Sequence, residues 1–205
     1  MLAIIDYNAG NLFNVKKAFA HLGYDAEITS DPAVIHEAKG LILPGVGAFA
    51  AAYEELTSRG LDTIVKKEVA GGKPLLGICL GMQLFFDVGY EVEECPGLGL
   101  IGGAVKLLET KEKIPHMGWN SLVFEQESPL FEGVAEGSYV YFVHSFAPVV
   151  KDAADLVAYS DYGMRVTAAV QHENVYGVQF HPEKSSAVGM KILTNFAEKI
   201  AKEGK

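Results

Sequence analysis

The chain has 205 residues, 49% of them hydrophobic and 21% charged, and a formal net charge of −9. That length suits a single domain over residues 1–205 and buries roughly 70% of the unfolded surface, enough for a core without metal or disulfides. The acidic balance argues against a nucleic-acid binder, which needs a basic face. No apolar run is long enough for a membrane span, and two cysteines, Cys79 and Cys95, make no disulfide framework, so the expected compartment is the cytoplasm.

LAIID (2–6) is a short apolar run ending at the turn residues YNAGN, the pattern of a buried strand. From Asn11 onward Leu12, Val15, Phe19 and Leu22 share one helical face, and Gly23 stops the helix. YDAEIT alternates as a second strand, and SDP opens a short helix. GLILP (40–44) and LLGIC (75–79) read as a third and a fourth buried strand. A helical stretch over about 47–70, broken near Gly60, lies between them. After residue 100 the order changes. AVKLL, YVYFVH, DLVAYS, VTAAVQ and VYGVQF are strand-like with short connections, and a helix over about 185–203 closes the chain. Alternating strands and helices predict an α/β domain with a mostly parallel, doubly wound sheet, joined in its second half by antiparallel strands.

Sites in such sheets form beyond the carboxyl ends of the strands. Three suggestive segments sit there: PGVGAF after the third strand, CLGMQ after the fourth and HPEKS after VYGVQF.

Cys79 stands in G-x-C-x-G. A lone cysteine at a strand end can be a small apolar core residue, but glycines two positions to either side suit a nucleophile elbow, a sharp turn that exposes the reactive atom. A helix starting there presents its N-terminus to the sulfur and favours the thiolate, and its first N–H groups can hold an oxyanion. Of the six histidines, His21 and His36 read as surface residues on helices, and His172 sits in the turn QHEN. His181 follows a strand directly and precedes a proline that fixes the strand exit. Glu183, two residues on, can orient its ring, which completes a nucleophile–base–orienter set with Cys79. The alternative is a solvated turn with a chance H-x-E pair. PGVG leaves backbone amides open to a ligand. No lysine follows it in P-loop spacing, and the chain has neither C-x-x-C nor H-E-x-x-H, so no metal and no cofactor is implied.

Taken in order, PGVG, GICLGMQ and GVQFHPEKS resemble the class I, triad-type glutamine amidotransferases. IDYNAGNL, IPHMGWN (114–120) and YFVHSF (141–146) narrow the resemblance to the glutaminase subunits of imidazole glycerol phosphate synthase. It spans nearly the whole chain and implies a flavodoxin-like amidotransferase fold. It makes Cys79 the nucleophile, His181 the base and acid, and Glu183 its orienting partner. Val46 and Gly47, with the Leu80 N–H, would form the oxyanion hole, after a peptide flip in the PGVG loop. Gly47, Gln83, Glu91, Ser145 and Phe146 would bind glutamine. At Glu91 the run FFDVGYE departs from the family's more acidic FEES. Asn11, Asn14, Trp119 and Lys184 would face a cyclase subunit, a (β/α)₈ barrel forming a heterodimer with this chain and receiving its ammonia. Cys95, before PGLG, reads as structural.

Three rival readings differ at particular residues. Glutaminases of anthranilate or aminodeoxychorismate synthesis resemble GICLGHQ and PGGPG, where this chain has Met82 and PGVG. A catalytically inactive docking subunit would be expected to have lost its nucleophile. A partner-free thiol hydrolase acting on glutamyl peptides would have no use for an exposed Trp119 in a docking loop.

Overall fold

The run at residues 2–5 shows no polar alternation because helices cover both of its faces. In the computed structural model, which describes residues 1–202, it forms β1 (Leu2–Ile5), buried throughout. The amphipathic α1 (Leu12–His21) follows and buries Val15, Ala18 and Phe19. β2 (Ala26–Thr29) then returns parallel to β1. Asp31 starts α2 (Pro32–Glu37) by accepting the Ala33 N–H at 2.8 Å, with proline at the first helical position. β3 (Leu41–Gly45) leads into α3 (Phe49–Ser58) and α4 (Leu61–Ala70). The expected break between these helices falls at Gly60, whose φ of +67° suits glycine. β4 (Leu75–Cys79) ends on the cysteine.

Beyond Cys79 the chain departs from the helix expected there. α5 (Leu80–Gln83) is a single turn, and the aromatic and β-branched residues that follow extend as β5 (Phe86–Tyr90). β6 (Glu94–Pro96) and β7 (Ile101–Leu107) flank β5, and β7 starts earlier than AVKLL suggested. The HMGWN segment is also a strand rather than a loop. β8 (His116–Ser121) pairs with β10 (Tyr139–His144), and β9 (Val123–Phe124) lies between them in sequence. β11 (Phe146–Val150), β12 (Leu156–Asp161), β13 (Arg165–His172) and β14 (Val175–Val178) complete the strands. His172, expected in a turn, is the last residue of β13. The closing helix divides into α6 (Ser186–Asn195) and a π-helical turn at Phe196–Ile200. Residue 203, its expected end, lies outside the described residues.

The main sheet runs β2-β1-β3-β4-β14-β13-β12-β9. Its first five strands are parallel and its last three are antiparallel additions. Alternate side chains feed two cores. Leu2, Ile4, Ile42, Leu76 and Ile78 pack with α1 and α6 on one face. Ala3, Ile5, Leu41, Leu43 and Leu75 pack with the other helices on the opposite face. A four-stranded sheet, β11-β7-β5-β6, and the β8–β10 pair lean on this frame. No helix among the described residues is long and apolar enough to cross a membrane.

Candidate active site

β3, β4 and β14 are neighbours in the sheet, and all three point the same way. Their carboxyl ends therefore deliver the PGVG loop, Cys79 and the HPEKS segment to one place. Cys79 lies opposite Gly45, and Ile78 opposite Val178.

At Cys79 the backbone takes φ 55° and ψ −116°, a conformation that L-residues adopt only when the surroundings enforce it. The enforcement comes from how tightly the elbow sits on β3. A Cβ on Gly81 would lie 1.7 Å from the Leu43 carbonyl oxygen, so only glycine permits this approach. In the adjoining loop Gly47 has φ +107°, yet a Cβ there would meet nothing within 4 Å. One glycine is required by contact and the other by dihedral.

His181 and Glu183 are held on the far side of the sulfur. The His181 N–H donates to the Tyr141 carbonyl at 3.0 Å. Ser185 Oγ donates to the His181 carbonyl at 2.6 Å and accepts the Tyr141 N–H, which staples this segment to β10. His181 Nδ1 lies 2.9 Å from Glu183 Oε1, with both side chains almost fully buried. His181 Nε2 is buried and has no hydrogen-bond partner among the described residues. Burial pulls the His181 imidazole down, but the Cys79 sulfur and the Glu183 carboxylate outweigh it and raise its pKa to about 9. The charge partner of Cys79 is thus this imidazole, not the dipole of a long helix. One turn sums too few peptide dipoles to match the expectation.

A cavity of about 400 Å³ opens over the sulfur. Its lining includes Val46, Gly47, Cys79, Leu80 and His181, and also Gln83, Glu91, Ser145 and Phe146. The proposed nucleophile, base, oxyanion and substrate residues thus meet in one hollow. Both Gln83 N–H groups are committed inside the protein, to the Phe146 carbonyl and to Gln179 Oε1, each at 2.9 Å. Its carbonyl oxygen is what remains for a ligand. Glu91 reaches the site despite its altered sequence context, and Oε2 accepts the Phe49 N–H at 2.6 Å, at the start of α3. A larger hollow of about 750 Å³ lies between Phe124 and Val134, lined by Glu125, Glu127 and Glu132. Neither cysteine nor histidine lines it, and its one hydroxyl, on Ser128, donates to Gln171 Oε1.

Three residues at the site were not expected. Gln179, fully buried, donates to Cys79 Sγ at 3.6 Å. Its position two residues before His181, in the segment that leads from β14 to it, was the available signal. Tyr7, also buried, donates to the Pro44 carbonyl at 2.7 Å and anchors the start of the PGVG loop. Burial and the nearby Cys79 push its phenol well above the usual range. His144 lines the cavity as well. Asn11, Asn14, Trp119 and Lys184 are all exposed. α1 opens at the same end of the sheet as the site, and Trp119 packs edge-on against Tyr141, which holds the base segment.

A strained cysteine elbow, a carboxylate-oriented imidazole and a glycine loop around one hollow make a thiol acyl-transfer site. Residues 3–200 match the glutamine amidotransferase class-I family model, and the chain belongs to that family. Within it, the similar proteins include the imidazole glycerol phosphate synthase subunit HisH of Geobacillus sp., 50% identical over 210 residues that cover 100% of this chain and 99% of that one. The subunit of the same name from Sulfurimonas denitrificans is 49% identical over 203 residues, covering 97% and 98%. The Bacillus cereus one is 49% identical over 196 residues, covering 96% and 93%. Among solved structures, a glutamine amidotransferase superposes with a TM-score of 0.75 at 21% identity, covering 98% of both chains. A chain of PurLQS from Thermotoga maritima gives 0.74 at 20% identity, covering 95% of each. The two structural matches share the α/β fold with this chain.

Proposed function

We propose that this chain is the glutaminase subunit of imidazole glycerol phosphate synthase, built as a single amidotransferase domain. The reading is carried by the convergence of Cys79, His181 and Glu183 at the mouths of β3, β4 and β14, in a chain about half identical to HisH subunits along its whole length.

L-Glutamine enters the hollow with its side-chain amide toward Cys79. Its ammonium group meets Glu91 and the Gln83 carbonyl oxygen, and the Gly47, Ser145 and Phe146 backbone holds the rest of the amino-acid end. The Cys79 thiolate attacks the carboxamide carbon, forming the C–S bond. The resulting oxyanion is taken up by N–H groups of the Val46–Gly47 loop and of Leu80, whose N–H opens α5 and has no intrahelical acceptor. As the C–N bond breaks, His181 Nε2 gives its proton to the leaving nitrogen, releasing ammonia and a glutamyl thioester. The now neutral His181 takes a proton from water, whose hydroxide attacks the thioester and frees glutamate and the thiolate. Glu183 keeps the ring in one orientation throughout and steadies its positive form. Ammonia passes to a (β/α)₈ cyclase subunit docked over Asn11, Asn14, Trp119 and Lys184, forming a heterodimer. There it supports synthesis of imidazole glycerol phosphate and aminoimidazole carboxamide ribotide. The reducing cytoplasm suits a chemistry that depends on a free thiol.

The test is glutamate release from glutamine by the complex with its cyclase subunit, with and without the cyclase's nucleotide substrate. Release should appear in the complex and rise with the nucleotide. Cys79→Ala should abolish glutamine-dependent synthesis and spare synthesis driven by added ammonium salt. Loss of both would make Cys79 a structural residue.

A further inference from the structure

Two buried histidines sit beside the site without a part in the chemistry above. His116 is sandwiched between Phe142 and Tyr162, with ring centroids 4.5 and 4.1 Å away and near-parallel planes. Its Nδ1 lies 3.0 Å from Nε2 of His144, and Nδ1 of His144 lies 2.8 Å from the Phe146 carbonyl oxygen. At the outer end, Asn120 Nδ2 is 3.2 Å from His116 Nε2 and 2.9 Å from the Asp161 carbonyl, and its Oδ1 accepts the Ser121 N–H.

Chemistry leaves one assignment for the protons. A carbonyl only accepts, so His144 Nδ1 carries hydrogen. In a neutral ring Nε2 is then the acceptor, and it must receive from His116 Nδ1. His116 Nε2 in turn receives from the Asn120 amide. Every heteroatom in the run is satisfied, and all three donations point inward from β8 to the cavity wall. The run meets the nucleophile's own contacts at Phe146, whose carbonyl also receives Gln83, the partner of Gln179 and through it of Cys79.

Building on the glutaminase reading, we propose that His116 and His144 are positioning residues for glutamine: their one-way run of hydrogen bonds from Asn120 fixes the Ser145–Phe146 backbone on which the substrate's amino-acid end rests. Trp119, next to the start of the run, belongs to the face proposed for the cyclase. Burial pushes His116 down to about 4. His144 is pushed down to about 3 by burial, with the Phe146 carbonyl opposing and His116 and His181 adding. Both rings therefore stay neutral, and the run keeps its direction while His181 cycles its proton.

The experiment is steady-state glutaminase kinetics on the cyclase complex with three variants. His116→Phe keeps the stacked ring and removes both nitrogens. His144→Leu removes the donor to Phe146, whereas His144→Asn leaves an amide N–H where Nδ1 stood. His116→Phe and His144→Leu should raise KM for glutamine about tenfold, the scale of one lost hydrogen bond in a buried network. kcat should move far less, and ammonium-driven synthesis should persist. His144→Asn should bring KM back to within about threefold of the parent. The proposal is overturned if the folded variants bind glutamine as the parent does, or if the asparagine behaves like the leucine. Should the His144 variants fail to fold, ¹⁵N imidazole spectra of the unmutated complex decide instead. Nδ1 must be protonated and Nε2 bare in both rings, and the opposite tautomer at His144 refutes the run. A parent complex that releases no glutamate would count against the glutaminase reading itself, and those spectra would still test the run.

Discussion

Gly81→Ala is the most discriminating single change. The new Cβ would start 1.7 Å from the Leu43 carbonyl oxygen and 2.7 Å from its carbon. Neither partner is a flexible side chain, so strand and elbow must separate by roughly 1.5 Å to reach ordinary contact. Overpacking of this kind costs about 3 kcal/mol, which in a domain of this size lowers Tm by about 6–12 °C. The same opening displaces the loop after β3 from the Cys79 sulfur, and a misplacement of about 1 Å in a reacting geometry costs on the order of 10²-fold in rate. Thermal melting of the free subunit and glutaminase kinetics of the complex read the two effects. An alanine variant with parental Tm and parental kcat/KM would show that the elbow does not rest on β3, and the account of its strain would fall with it.

Gly47→Ala tests the opposite case, because its Cβ has open space and only its φ of +107° resists. The exposed loop should relax to a negative φ, leaving Tm within about 2 °C while loss of the oxyanion donor proposed there lowers kcat about 10²-fold; an equal loss of stability would contradict this. Stability should peak near neutral pH. Below about 6.5 it declines toward 4, since His116 and His144 take a proton more readily when unfolded; above 6.5 it is lost as pH rises through about 9, since His181 holds its proton only when folded. In denaturant titrations the alkaline limb should amount to about 3 kcal/mol and the acid limb, to which two rings contribute, to at least as much; Cys79→Ala should flatten the alkaline limb, and a profile level from 6.5 to 9 would refute the raised His181. Trp119, 52% exposed, should on mutation to alanine weaken cyclase binding at least about tenfold with little change in Tm; a large Tm drop with intact binding would place it in the core.

Much of this was readable in the chain. Strands LAII, LILPG and LLGIC carry continuous apolar runs, and Asp31-Pro32 and Gly60 punctuate the helices where propensity says they should. Cys79, His181 and Glu183 announced themselves because each stands at a strand exit beside residues that restrict the backbone. Partnerships between polar side chains are a different matter. Gln83 meets Gln179 across 96 residues and His116 meets His144 across 28, and no local spacing marks either pair. Tyr7 looked like a turn residue until the Pro44 carbonyl came into view. The single turn of α5 was missed for a related reason. Leu84, Phe85 and Phe86 fit an apolar helix face, yet the chain turns at Leu84–Phe85 and extends from Phe86 as the short strand that pairs with β7.

The order in which the main sheet closes sets when the chain can act. Gln179, which donates to Cys79, is 100 residues downstream of it, and the His181 imidazole that faces the same sulfur comes two residues later still. Parallel pairing across so long a loop is slow to form. A nascent or clipped chain without its final strand has the thiol and the glycine loop but neither imidazole nor carboxylate. Such a fragment has no proton donor for departing ammonia, so glutamine is spared until the chain has been made and folded through Glu183.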